Sequence, residues 1–306
     1  MIRKLLIATA SLMMAGICAS AQTNEEFKAQ YERQTSAVGP SGVGVEYIVN
    51  RWEKACPDSR EMLEASFRLY FLKSREETLV VKPGMDKYMG GDPVLALTDS
   101  LGNKVNWFTD YKYNDRIFGK AVRYIDKAAE LYADDIDVRF FKLDALLAYE
   151  KDSPDMVCTD LAALIDLEVS GKQNWKAGGE PVGHDYFMAA VQDFCREFFK
   201  IASPASYEAF RMISEKMNKL YPSDTAWLNN LGSYWYSVQK NSSKALSYYK
   251  KVLKIYPKDY TAIKNSVLIA RKDNNPKLEK KFLPLLIEVT PSQGEKIAAE
   301  ARLKQL

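Results

Sequence analysis

The chain has 306 residues, 47% of them apolar and 27% charged, with a formal net charge of +3. This is ordinary globular composition, long enough for one sizeable core or a stack of small repeats. Arg3 and Lys4 fall in a leader expected to be removed, leaving 3 − 2 = +1, so neither sign dominates to recruit nucleic acid or anionic lipid.

The leader comes first along the chain. Arg3 and Lys4 form a short basic start, Leu5 to Ile17 is an apolar run too short for a membrane span, and Ala19-Ser20-Ala21 is an A-x-A cleavage site. This pattern predicts a secretory signal peptide over residues 1–21 and a soluble periplasmic product. Ile17 before Cys18 departs from the small residue that a lipid-anchor site needs, so a lipoprotein is not expected. The remaining cysteines, Cys56, Cys158 and Cys195, are odd in number and widely spaced. They read as buried thiols, with one bridge as the alternative.

Residues 22–42 read as a partly flexible N-terminal segment, and 43–133 as helical with an insertion over 75–113. Inside that insertion, Asp99, Gly102 and Asn103 supply turn chemistry between two short apolar runs, which predicts a β-hairpin at about 94–108. Residues 134–169 read as a helix pair. The glycines and proline of 170–183 predict a loop insertion, followed by helix pairs over 184–222, 223–257 and 258–291 and a capping helix over 292–306.

The last pairs repeat. Pro222, Pro257 and Pro291 each follow an apolar helical stretch, spaced by 257 − 222 = 35 and 291 − 257 = 34 residues. Within 223–257, Leu231 and Gly232 sit inside a first helical stretch running from Thr225 to Tyr236, while Ala245 and Tyr249 sit in the next. Small residues at that spacing let two helices approach. A proline-terminated pair of 34 residues with this pattern resembles a tetratricopeptide repeat (TPR). Earlier repeat ends read at Pro57, at Ala133 and near Glu168. The interrupted arrangement, with Trp52, Leu97, Asp137, Trp175 and Glu180 in their local contexts, is similar to exported bacterial TPR proteins of the Bacteroides type. The resemblance implies an all-α, TPR-like α-solenoid (a right-handed superhelix of helix pairs) carrying a small hairpin, and says little about activity.

Catalytic constellations are missing. His184 is the single histidine, which excludes a multi-histidine zinc site and leaves a Ser-His-Asp triad only one candidate. No phosphate-binding glycine loop occurs. Carboxylate pairs such as Glu76 with Glu77 fall at predicted helix ends or on polar faces. No enzyme activity, metal or cofactor is expected.

A TPR stack offers the face of its first helices as a groove. The i, i+4, i+7 spacing puts Asn229, Ser233 and Tyr236 on that face, Lys264 and Arg271 in the next repeat, and Gln192 in the preceding one. These groups suit an extended peptide or a carboxylate-rich protein partner. Trp175 lies in an insertion and reads equally as a contact residue or as packing, whereas Trp107 reads as packing. Both tryptophans raise the alternative of a glycan or cell-wall-fragment module. The expectation is a monomeric scaffold for a protein or peptide partner, with no nucleic acid partner and no transmembrane segment in the mature chain.

Overall fold

The computed structural model describes residues 22–306. The expected leader, its cleavage site and Cys18 lie outside the described residues. The chain is an α-solenoid built from helix pairs: α1 (Asn24–Val38) with α2 (Val45–Ala55), α3 (Arg60–Ser74) with α4 (Asp115–Leu131), and α5 (Ile136–Glu150) with α6 (Asp155–Val169). Then come α7 (His184–Ile201) with α8 (Pro204–Leu220), α9 (Thr225–Ser233) with α10 (Ser242–Ile255), and α11 (Tyr260–Lys272) with α12 (Pro276–Val289). A last helix, α13 (Gln293–Leu303), packs on α12.

Caps written into the sequence fix the starts. Asp224 and Asp259, 35 residues apart, each accept a backbone N–H at the head of α9 and α11. Asn241 and Asn275, 34 apart, do the same for α10 and α12. At the ends, Tyr221 and Tyr256 leave helical geometry at φ −127° and −131°. Each precedes a proline, which disfavours the α region for the residue before it. Tyr132 does likewise at φ −115° without a proline after it.

The stack buries three apolar clusters in sequence. The largest includes Trp52, Ile125, Phe187 and Trp227, the next centres on Tyr249 and Val252, and the last on Val267, Phe282 and Leu283. Cys158 and Cys195 are buried free thiols and Cys56 is half-buried. Burial pushes the Cys195 thiol up to about 12.

Both insertions differ from the sequence expectation. The first contains the expected hairpin, its strands paired from Leu95 with Trp107 to Thr98 with Lys104, and adds a third strand that the sequence did not announce. β1 (Arg75–Pro83), β2 (Leu95–Thr98) and β3 (Lys104–Tyr113) form an antiparallel sheet in the order β1-β3-β2. Alternation in β1 is weak because Arg75, Glu76 and Glu77 lead into it, so the strand is revealed only by its pairing with β3. The Asn114 N–H donates to the Ser74 carbonyl at 2.7 Å, so the chain leaves and rejoins the helix pair at one point. The second insertion is not a bare loop. β4 (Lys176–Ala177) pairs with β5 (Glu180–Pro181), and Gly178 and Gly179 turn between them at φ +57° and +86°. Two positive φ values at the turn are what a two-residue hairpin of this twist requires.

The expected first helix of 223–257 also stops early. Past Ser233 the chain continues as a π-helical turn, Tyr234–Val238. There the Gln239 N–H reaches back five residues to the Tyr234 carbonyl at 3.1 Å.

Candidate binding cleft

A cleft of about 900 Å³ opens where α1, α3, the approach to α5 and the β4–β5 hairpin converge. Helical spacing supplies one wall: Lys28, Glu32 and Thr35 recur on α1 with Tyr31 among them, and Arg60, Glu64 and Arg68 recur four apart on α3. Tyr31 lies 6.0 Å from Trp52, ring to ring, and burial pushes its phenol above the usual range.

Much of the charge in the cleft is matched internally. Arg60 donates through Nε to Asp135 and through Nη1 to Glu64 at 3.1 Å. The Asp135 hydrogen bond raises the Arg60 pKa above its ordinary value against the opposing cost of desolvation. Arg68 donates to Glu64 at 3.0 Å and lies over the Phe141 ring at 5.4 Å. Glu61 accepts from Asn24 and Ser59. Among the described residues Lys28, Glu32 and Lys176 have no ion-pair partner. The cleft thus combines an aromatic ring, two free lysines, one free glutamate and a rigid charge-paired floor.

Lys176 is placed by the second insertion. Its backbone N–H donates to the Asp134 carbonyl at 2.8 Å, and the Gly178 N–H donates to Asp137 at 2.6 Å. Trp175 anchors the other side: it is 5% exposed, its indole N–H donates to Glu168 at 2.6 Å, and Arg139 lies 5.6 Å over its ring. Trp175 therefore packs as a pin for the hairpin, one of the two arrangements that the sequence left open. His184 contacts the same carboxylate through Nδ1 at 2.8 Å.

The residues assigned to a C-terminal groove serve mostly as joints between neighbouring helices. Gln192 forms a reciprocal amide pair with Asn230, both bonds at 3.0 Å. Asn229 donates to both oxygens of Asp259 at 3.1 and 3.2 Å. Ser233 meets the Tyr249 hydroxyl at 3.4 Å, and Lys272 lies 5.0 Å over the Tyr236 ring. Lys264 donates to the Tyr260 hydroxyl at 2.9 Å and pairs with Glu295 at 3.1 Å. Arg271 pairs with Glu279 at 2.7 Å. Both cations already hold carboxylates within the chain. No hydrogen bond joins any two of these six residues.

Sequence reading missed the cleft at α1 and α3. The four-residue spacing of Arg60, Glu64 and Arg68 was visible and marks one helical face, whereas the convergence of that face with a hairpin more than 100 residues later was not. Among the described residues no three His, Cys, Asp or Glu side chains gather as a metal site, and no helix is long and apolar enough to cross a membrane.

No protein-family model matches the chain. No curated protein matches it either. Among solved structures it is similar to YrrB, described as a TPR protein with an unusual peptide-binding site, at 14% identity and a TM-score of 0.36 over 60% of this chain and 83% of that one. It is also similar to Pseudomonas aeruginosa pilF, at 10% identity and a TM-score of 0.36 over 92% of this chain and all of that one.

Proposed function

We propose that the chain is an exported, non-catalytic binding scaffold that holds an extended segment of a protein partner in the cleft between α1, α3 and the β4–β5 hairpin. The observation that carries this reading is the cleft's free charge. Lys28 and Lys176 face it from two different elements, with Glu32 and Tyr31 on the α1 wall. A segment with alternating charges and one apolar or aromatic side chain complements that set. The paired floor of Arg60, Glu64, Arg68 and Asp135 keeps the wall rigid, so little ordering entropy is lost on binding. The signal-peptide pattern of residues 1–21 supports a periplasmic location for this scaffold. A glycan module is the weaker reading, because the indole of Trp175 is covered and no longer offers a stacking platform.

The test is capture from periplasmic extract with the mature chain and with a Lys28→Glu, Lys176→Glu variant. Neither lysine forms a close ion pair within the chain, and Lys28 acts on Glu61 only at longer range, so the variant should stay folded with a loss of no more than about 1 kcal/mol. Capture should fall at least tenfold. Equal capture by a folded variant would remove this cleft as the site.

A further inference from the structure

A nearly balanced overall charge hides a local excess of cations. A second cavity, about 400 Å³, opens between α2, α3 and α4 and shares no residue with the cleft on α1 and α3. Arg116, Lys120 and Arg123 line it from successive turns of α4, and Lys73 of α3 joins them. Against these four cations the lining offers one carboxylate, Glu46 of α2.

That carboxylate is already engaged. Lys73 donates to one of its oxygens at 2.5 Å and the Tyr70 hydroxyl to the other at 3.1 Å. The Lys73 hydrogen bond, opposed by burial and aided by Tyr70, holds the Glu46 carboxyl below the usual range. The nearby acids of α4 are also engaged: Asp115 accepts from the Tyr149 hydroxyl at 3.0 Å, and Asp126 pairs with Lys142 at 3.0 Å. Among the described residues Arg116, Lys120 and Arg123 form no ion pair and donate no side-chain hydrogen bond.

Elsewhere the same helical spacing pairs opposite charges, Arg60 with Glu64 and Arg211 with Glu215. On α4 it sets like charges side by side, which destabilises a helix. Arg116 also sits in the first turn, where the macrodipole disfavours a cation. An anion seated among the three relieves both costs. The middle cation is held in place for it. Lys120 is half-buried, with its ammonium 3.7 Å over the Tyr70 ring, which stacks on Tyr124 at 5.8 Å.

We propose that this cavity binds the diphosphate group of an organic diphosphate ester. Charge and length decide the class. Arg116 and Arg123 are two helical turns apart, about 10 Å along the axis, a span that suits two linked phosphates better than one. A bridging phosphate near −1 and a terminal one at about −1.5 to −2 balance an excess of three positive charges. Two planar guanidinium forks take phosphate oxygens in pairs, and Lys120 between them adds a point charge. Ile117 and the Tyr70 ring give the cavity an apolar flank for the organic part of the ester. The diphosphate is the same whether the ester is a soluble molecule or a lipid headgroup.

The probe is inorganic pyrophosphate, titrated by calorimetry into the full mature chain, residues 22–306, at 0.15 M salt, where long-range charge effects are screened. Beside it run Lys120→Ala, an Arg116→Gln, Arg123→Gln double variant, and a Lys277→Gln, Lys280→Gln double variant on α12. The parent should bind, and its melting temperature should rise as pyrophosphate is added. Both cavity variants should bind at least tenfold more weakly and lose that rise, while the α12 variant should match the parent. Arg116 and Arg123 are exposed and unpaired, so their double variant should melt no lower than the parent without ligand. A parent that does not bind overturns the proposal, as does a folded cavity variant that binds like the parent, or citrate that binds the parent as tightly as pyrophosphate. Cosedimentation with phosphatidylcholine vesicles carrying farnesyl diphosphate, lost in the arginine double variant, would support the site with a lipid as its source. Pyrophosphate binding without vesicle binding would support it with a soluble ester.

Discussion

A Cβ atom added to Gly232 would lie 2.5 Å from Cε1 of Tyr249 and 2.7 Å from its Cζ. Two helices of one repeat therefore cross ring against backbone, and the small residue facing the ring is Gly232; Ala245 packs in the same cluster as Tyr249. The ring cannot swing away. Tyr249 is fully buried, and its hydroxyl accepts from Asn265 at 2.9 Å and meets Ser233. Gly232→Leu should overpack the crossing and cost about 1–3 kcal/mol or more. Gly232→Ala should cost less, since the helix propensity gained, about 1 kcal/mol, partly offsets the clash. Urea unfolding of both variants is the measurement. An unchanged midpoint for Gly232→Leu would show that the helices do not cross at this residue.

What was legible in the sequence follows the range of each signal. The proline spacing and the Leu231, Gly232, Ala245 and Tyr249 pattern are local, and they announce the helix pairs. The Asn-capped and Asp-capped starts are equally local. The three-stranded sheet is not: β1 pairs with β3 across a long excursion, and its charged first half conceals the alternation. Helical spacing told which side of α11 carries Lys264 and Arg271. It could not tell that Glu295 and Glu279, on later helices, would reach back to them. The cleft required three separate segments to converge, so only its α3 face was readable.

Glu279 should report acid destabilisation. Its residue is 1% exposed, and it accepts from Arg302 at 3.0 and 2.9 Å and from Arg271 at 2.7 Å. The Arg302 hydrogen bonds, opposed by burial and aided by Arg271, hold its carboxyl below the usual range. A carboxyl lowered on folding contributes stability that is full above the unfolded value, about 4.3. That contribution fades as pH falls through the lower folded value. Urea midpoints should therefore drop more steeply below about pH 4.3 in the parent chain than in Glu279→Gln. Parallel pH profiles would show that the triad contributes nothing.

The two cations of α11 should separate in the same assay. Arg271→Ala leaves a buried carboxylate with one partner fewer and should cost about 1–3 kcal/mol. Lys264→Ala removes a more exposed pair with Glu295 and should stay within about 1 kcal/mol. Equal losses would mean that burial of Glu279 does not govern the difference.

Export should leave Gln22 as the first residue, by cleavage after Ala21, with no acyl chain at Cys18. Intact mass of the protein recovered from the periplasm decides this. A mass retaining Cys18 with its acyl chains would replace the soluble scaffold by an anchored one.

Glu168 should govern the cleft without lining it. One oxygen accepts the Trp175 indole N–H at 2.6 Å and the other meets His184 at 2.8 Å. The carboxylate thus ties both ends of the second insertion to α6. Beyond Trp175, the hairpin is held by the Val182 N–H on the Trp175 carbonyl at 2.9 Å and by the Asp134 and Asp137 contacts. Trp175→Ala would remove a buried indole at about 3–5 kcal/mol and confound loosening with unfolding. Glu168→Ala keeps the indole and removes only its acceptor. Amide exchange at Lys176, Gly178 and Val182 should then quicken, while amides of α9 to α12 stay protected. Because the hairpin carries Lys176 into the cleft, the same variant should weaken partner capture, although Glu168 does not line the cleft. Hairpin amides that exchange at the parent rate would show that Trp175 is held by packing alone. A loosened hairpin with undiminished capture would detach Lys176 from binding and leave the walls of α1 and α3 to carry it.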